Sequence, residues 1–336
     1  MKALFIGGTG TISMAITRSL ASNPDWELYL LNRGSRSAEL PSNVKVINVA
    51  DVNDEAAVAK AIGGMTFDTV CDFICFHKEQ VERNIRLFKG KTRQFMVISS
   101  ASAYQKPLSS HIVNEATPLA NPYWQYSREK IEIEERLMQE YRSNGFPITI
   151  IRPSHTYDER SIPLGVHGKN GSYQVIKRML EGKQVIVHGD GTSLWTMTHN
   201  SDFAKGFIGL MGNIHAIGES FQIISDEVLT WNQVYQSIAD ALGVEFKPCY
   251  VASSFLASVS DYDFTGSLIG DKANSVVFDC SKLKRAVPNY CATTRFDQGV
   301  RKTIANVLAT PSLQRLDPEF DEVMRSEERF SRNAET

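Results

Sequence analysis

The sequence predicts an α/β fold, a doubly wound parallel sheet that carries a second, smaller α/β lobe. Three observations lead there. Up to Arg152, short runs rich in Val, Ile, Leu and Phe alternate with amphipathic stretches of helical spacing. Those runs are apolar at every position instead of every second one, the pattern of strands covered on both faces. The chain has 336 residues, 42% of them hydrophobic and 22% charged, enough for one large core or two smaller ones.

In chain order, the strand-like runs are Lys2–Ile6, Leu28–Leu31, Val44–Val49, Thr69–Ile74, Gln94–Ile98 and Pro147–Ile151, each bounded by Gly, Asn, Ser or Pro. Helical patterns lie between them at Ser13–Ser22, Asp54–Ile62, Lys78–Phe88 and Gln125–Ser143, spaced as crossover helices. A repeated βαβ rhythm of this kind gives a Rossmann-type sheet with helices on both faces. After Arg152-Pro153 the rhythm breaks into glycine-rich loops, Gly165–Gly171 and Gly189-Asp-Gly191, and a second lobe is expected to begin. Helices are predicted there at Ser172–Glu181, Ser201–Gly209, Trp231–Leu242 and Phe296–Leu308, and strands at Phe221–Ile224 and Val276–Asp279. The end of the chain, residues 311–336, reads as a charged tail, a surface helix followed by a frayed end.

Composition removes several functional classes. A formal charge of -2 offers no Lys/Arg excess to neutralise phosphates, so no nucleic-acid partner is expected. No apolar run reaches the ~18 residues of a membrane span, and the apolar start Ala3–Ile6 runs into glycines instead of a cleavage site, so neither membrane nor export is expected. Five cysteines, an odd number without a CxxC pair, suggest no disulfide framework and no metal site; they suit a reducing cytoplasm.

Gly7, Gly8, Thr9, Gly10, Thr11 and Ile12 follow the first strand and open the first helix. Glycines in that context let the backbone approach a pyrophosphate closely, while the helix amino end presents unpaired N–H groups to it. The third glycine of such a turn is Ser13 here. At the end of the second strand, where an acidic residue would hold a ribose 2'-hydroxyl, the chain has Asn32-Arg33, with Arg36 close behind. A guanidinium pairs with phosphate in a bidentate fork, so NADP is preferred over NAD. Asp51, followed by Val52, either accepts a hydrogen bond from the adenine amino group or caps the next helix.

Tyr126 and Lys130 sit four residues apart near the start of the long helix, on one face. A phenol titrates near 10 and needs a neighbouring cation to work as an acid/base near neutrality. The strand before that helix ends in Ser99-Ser100-Ala-Ser102-Ala-Tyr104, where a parallel sheet offers side chains to a ligand.

The stretches GGTGTIS, ISSASAY, YSREK, IIRPSHTYD and HGDGTSLWTMTHNSDFAKG, in this order, resemble the extended short-chain dehydrogenase/reductases of the NAD-dependent epimerase/dehydratase superfamily over residues 1–310. The resemblance implies an NAD(P)-binding domain at 1–152 with returning segments near 185–225, and a substrate lobe at 153–184 and 226–310. It implies an oxidoreductase or epimerase in which a hydride moves at a secondary alcohol or ketone of a sugar-like substrate. Tyr126 would be the acid/base, Lys130 would hold the nicotinamide ribose, and Ser100 would bind the reacting oxygen, with Ser99 and Ser102 as alternatives. Tyr104 and Pro153 would lie near the nicotinamide, with Ser154, His155 and Trp195 beside the substrate. A homodimer is implied as well.

Three departures from the family pattern narrow this. Ala101 and Ser102 stand where dehydratases of nucleotide sugars carry an acidic pair, which argues against that elimination. Trp195 stands where epimerases carry an Arg that grips the substrate diphosphate, and an indole cannot neutralise a diphosphate. Asn84 falls too late in its helix to match the family's asparagine. Such features also resemble an atypical subgroup that includes chloroplast stem-loop RNA-binding proteins, so a non-catalytic dinucleotide-binding regulator is the alternative. Cys71, Cys75, His155 and His199 each admit a structural reading beside a functional one.

Overall fold

The computed structural model describes residues 1–34 and 40–325. Its first half runs β1 (Lys2–Ile6), α1 (Thr11–Ala21), β2 (Glu27–Asn32), β3 (Lys45–Asn48), α2 (Glu55–Ile62), β4 (Thr69–Asp72), α3 (Lys78–Phe88), β5 (Phe95–Ile98) and α4 (Gln125–Asn144). These strands join Ile148–Arg152 and Glu219–Gln222 in one seven-stranded sheet, ordered from one edge as Glu219–Gln222, Ile148–Arg152, β5, β4, β1, β2, β3. Every pairing within it is parallel. The chain winds outward from β1 to β3 and restarts at β4 on the other side of β1. The carboxyl ends of β1 and β4 therefore flank the crevice where such sheets bind ligands.

Strand β1 shows why the apolar runs are continuous. Ala3 and Phe5 enter a core shared with Ile16, Leu20, Phe203 and Phe207, on the face covered by α1 and α5 (Asn200–Leu210). Leu4 and Ile6 enter the opposite core with Val58, Val81, Phe88 and Ile133. Side chains alternate faces along a strand, and with helices on both faces every position must be apolar.

The later part of the chain folds around a third core that includes Trp195, Trp231, Tyr235, Leu268 and Phe296. Of the stretch 185–225, Val185–His188 pairs with Pro248–Val251 outside the main sheet, whereas α5 packs on α1 and Glu219–Gln222 adds the edge strand. Several two- to four-residue ladders in this region carry too little pattern to be read from sequence, among them Met197–His199 with His155–Tyr157. The expected charged tail differs in its first part. Phe320 and Met324 are buried in the third core, and Asp321 accepts from Arg178 at 3.0 Å, because the apolar positions three and four apart outweigh the surrounding charge. Residues 326–336 of that tail, like Arg36, lie outside the described residues.

Candidate active site

The turn between β1 and α1 is built to keep side chains out. Gly7 adopts φ +82°, a left-handed conformation that favours glycine. A Cβ on Gly8 would lie 1.8 Å from Leu30 Cδ2 in a packed core. Ser13, in place of a third glycine, ties the turn: its Oγ accepts from Gly10 N and donates to Gly7 O, both at 2.8 Å. Thr17 Oγ1 donates to Gly8 O at 2.7 Å and holds helix to strand. No side-chain cap covers the amino end of α1, so its first N–H groups are available to an anion.

Next to this turn is a cavity of about 480 Å³. Gly7, Thr9, Gly10, Asn32, Arg33, Asp51 and Val52 line it, joined by Leu31, Asn53 and Ile74. Arg33 is exposed at its rim. Asp51 does not cap α2; Asp54 does, accepting from Ala57 N at 3.0 Å, while Asp51 Oδ1 accepts from Asn53 N at 2.9 Å. Gly8 and Ile12 contribute packing instead of lining, and Thr11 lines a neighbouring cavity with Arg160, whose Nη1 lies 3.5 Å from Thr9 O. A glycine turn with no room for a Cβ at Gly7 or Gly8, an uncapped helix start and a cavity of this size fit the pyrophosphate and adenosine of a dinucleotide.

Helix α4 brings Tyr126 and Lys130 together. Lys130 is 2% exposed, and its Nζ donates to Cys75 O at 2.6 Å, in the loop after β4, and to Ile98 O at 2.9 Å, the last residue of β5. The ammonium stands 5.6 Å from the Tyr126 ring centroid and 4.6 Å from that of Phe76. Burial pulls the Lys130 pKa down to about 8, against the opposing pull of Cys75, Asp72, Glu134 and Glu129. Burial pushes the Tyr126 phenol up; the adjoining Ser100 hydroxyl works the other way and the Asp271 carboxylate adds to the rise. A chain of hydroxyls runs beside the phenol: Ser127 Oγ donates to Ser102 Oγ at 2.8 Å, and Ser102 Oγ lies 2.8 Å from Ser100 Oγ.

Two sequence-predicted residues turn away from both cavities. Ser99 is fully buried and its Oγ donates to Glu134 Oε1, so its side chain faces the helix and not a cofactor. Tyr104 is 1% exposed; its hydroxyl donates to Gln222 Oε1 at 3.0 Å and its ring packs 5.0 Å from the Arg152 guanidinium. The alternation of β5 decides the first and the helical turn Ala101–Ala103 the second. Asn84 also has a structural partner, donating from Nδ2 to Asp72 Oδ2 at 2.6 Å.

A second cavity, of about 300 Å³, gathers Ser100, Ser102, Tyr126, Pro153, Ser154, His155 and Trp195. Trp124, His167, Asp271 and Lys272 also line it, and sequence reasoning did not single them out. Trp124 could have been flagged from its place two residues before Tyr126. His167, Asp271 and Lys272 carry no local signal; the last two end a π-helical turn, Thr265–Lys272, that Asn121 ties to Ser102 by donating to Gly270 O and Ser102 O. Trp195 stacks on Trp231 with centroids 5.8 Å apart. Burial lowers the His155 pKa to about 3 and also lowers that of His167, so both rings are neutral near pH 7. His199 instead caps α5, its Nδ1 2.7 Å from Ser201 Oγ. Among the described residues no group of three His, Cys, Asp or Glu is placed to hold a metal ion, and no helix is long and apolar enough to cross a membrane.

The model of the family described as NAD dependent epimerase/dehydratase matches residues 3–223. The 2'-dehydrokanamycin reductase of Streptomyces kanamyceticus is 24% identical over 291 residues, covering 86% of this chain and 80% of that protein. The chloroplast stem-loop binding protein of 41 kDa b from Arabidopsis thaliana is 27% identical over 256 residues, 72% of this chain and 63% of that one. Among solved structures, dTDP-glucose 4,6-dehydratase from Bacillus anthracis, in complex with NAD, superposes with a TM-score of 0.72 at 17% identity, covering 93% of this chain and 98% of the other.

Proposed function

The chain belongs to the NAD-dependent epimerase/dehydratase family of enzymes, and from that premise we propose that it is an NAD(P)-dependent oxidoreductase or epimerase acting on a secondary alcohol or ketone of a sugar-like substrate. The observation that carries this reading is the meeting of Tyr126, Ser100 and Lys130 at the carboxyl end of the sheet, with Tyr126 and Ser100 on one cavity. A bound nicotinamide supplies the hydride donor or acceptor. Tyr126 moves the proton to or from the substrate oxygen, and Ser100 hydrogen-bonds that oxygen. The Lys130 ammonium stabilises the phenolate, and its desolvated position strengthens the effect. The Ser100–Ser102–Ser127 hydroxyls orient Ser100. Within this reading Arg33, at the rim of the larger cavity, favours NADP, and α4 pairs two subunits.

Substituting Tyr126→Phe tests the assignment: turnover should be lost while cofactor affinity stays within about twofold. Full activity in that variant rules the acid/base role out. Parallel titrations with NADPH and NADH, followed by nicotinamide fluorescence, test the Arg33 reading, which a clear NADH preference refutes. The stem-loop-binding relative motivates one control, a gel shift with structured RNA across a salt series; binding by a turnover-dead chain would favour the regulator instead.

A further inference from the structure

The smaller cavity holds more unfilled donors than acceptors. Trp195 Nε1 and Ser154 Oγ are buried without a hydrogen-bond partner among the described residues, and both residues line the cavity. Lys272, also lining it, is 9% exposed; its ammonium has one long contact, 3.5 Å to Ser267 O, and stands 5.9 Å from the Trp124 ring. Lys106 is 5% exposed and, like Lys272, is in no ion pair among the described residues. Asp271 is the one carboxylate among the described residues that line the cavity; burial pushes its pKa up, against the opposing pull of Lys106 and Lys272. His155 and His167 are neutral. The Lys272 ammonium therefore lines the cavity outside any ion pair among the described residues, in a desolvated place where an uncompensated charge is costly.

Resting on the reading of this cavity as the substrate site, we propose that the substrate is a monoanion, a polyol of monosaccharide size bearing a carboxylate that Lys272 receives. A carboxylate there pairs the Lys272 ammonium. Trp195 Nε1 and Ser154 Oγ donate to the carboxylate or to adjacent hydroxyl oxygens, Asp271 accepts from a hydroxyl, and the indole faces of Trp124 and Trp195 cover the C–H face of the ring. A volume of about 300 Å³ is at the small end of ligand pockets and suits a free sugar acid better than a nucleotide-linked sugar. A phosphate monoester, with nearly two charges near neutral pH, brings more charge than the one ammonium lining the cavity can pair.

The test is a tryptophan-fluorescence titration of the full chain, with and without NADPH, using sodium glucuronate, galacturonate and gluconate, the neutral glucuronamide and glucose, and glucose 6-phosphate. At least one acid should bind about 30-fold or more tightly than its neutral counterpart. Lys272→Met should remove that advantage, leave glucuronamide binding unchanged, and be partly rescued by Lys272→Arg. The proposal is overturned if acids and neutral sugars bind alike, if the phosphate is preferred, if no acid binds, or if Lys272→Met weakens acid and amide equally. Acid selectivity read without NADPH is independent of turnover, so a failed acid/base assignment at Tyr126 leaves this result standing, and the converse holds.

Discussion

Glu134 and Arg152 form a buried bidentate ion pair. Arg152 Nη2 donates to Glu134 Oε2 at 2.6 Å, and Nε reaches Oε1 and Oε2 at 3.0 and 3.2 Å. Glu134 lies one turn beyond Lys130 on α4 and also accepts from Ser99, while Arg152 ends the strand that leads into Pro153. One carboxylate thus fixes helix α4 to the carboxyl ends of two adjacent strands.

Glu134→Gln should lower unfolding free energy by about 3–5 kcal/mol, because it leaves the Arg152 guanidinium buried and unpaired. The double variant Glu134→Leu, Arg152→Met should lose less, since it removes both desolvated charges. Urea unfolding followed by circular dichroism checks this; equal losses in the two variants would show that the pair is not coupled.

Ser13→Ala should cost about 1 kcal/mol, through loss of the hydrogen bonds to Gly10 N and Gly7 O. Ser13→Gly, which installs the glycine usual in such turns, should cost about 1 kcal/mol more because glycine is a poor helix former. The same unfolding measurement decides, and a stabilising Ser13→Gly would remove the structural role given to this hydroxyl.

The Lys130 pKa, drawn down by burial to about 8, predicts an alkaline limit on catalysis. As pH rises through about 8 the ammonium beside Tyr126 is lost, and kcat/KM should fall along a limb with that apparent pKa. Stability moves the other way: between about 8 and the ordinary lysine value the unfolded chain binds more protons, so the folded state gains as pH rises. Lys130→Met should lower kcat by about 100-fold or more and abolish the limb. A pH–rate profile with a limb near 10 contradicts the assignment.

Buried neutral histidines predict sensitivity to acid. His188, 1% exposed and stacked edge-on against Trp231 at 5.0 Å, has its pKa lowered by burial to about 4, and His155 to about 3. Their contribution is fully present above the ordinary histidine value near 6.5 and is lost as pH falls below it, because the unfolded chain then binds more protons. The slope approaches about 1.4 kcal/mol per pH unit for each histidine. Comparing urea midpoints at about pH 7 and about pH 5, His188→Gln should show a shallower loss than the unsubstituted chain; an equal slope would mean that His188 does not titrate on unfolding.

The sequence by itself determined the sheet and its cofactor turn. Burial on two faces forces β1, β4 and β5 to be apolar throughout, and glycine is the residue that leaves β1 where a Cβ on Gly8 would strike Leu30. It also determined that Tyr126 and Lys130 share a face, since a four-residue spacing is a local property of a helix. Only the tertiary structure decided which hydroxyls face a ligand. Ser99 and Ser100 are adjacent, yet one bonds Glu134 and the other lines the cavity, a distinction set by which side of β5 the helix α4 covers. The same holds for Asp271 and Lys272, which reach Tyr126 from 145 residues or more away only because the π-helical turn Thr265–Lys272 packs against the segment Asn121–Trp124 just before α4. Covalent spacing carries information over a few residues of chain; a charge balance in a cavity depends on groups that meet only after the lobes have packed.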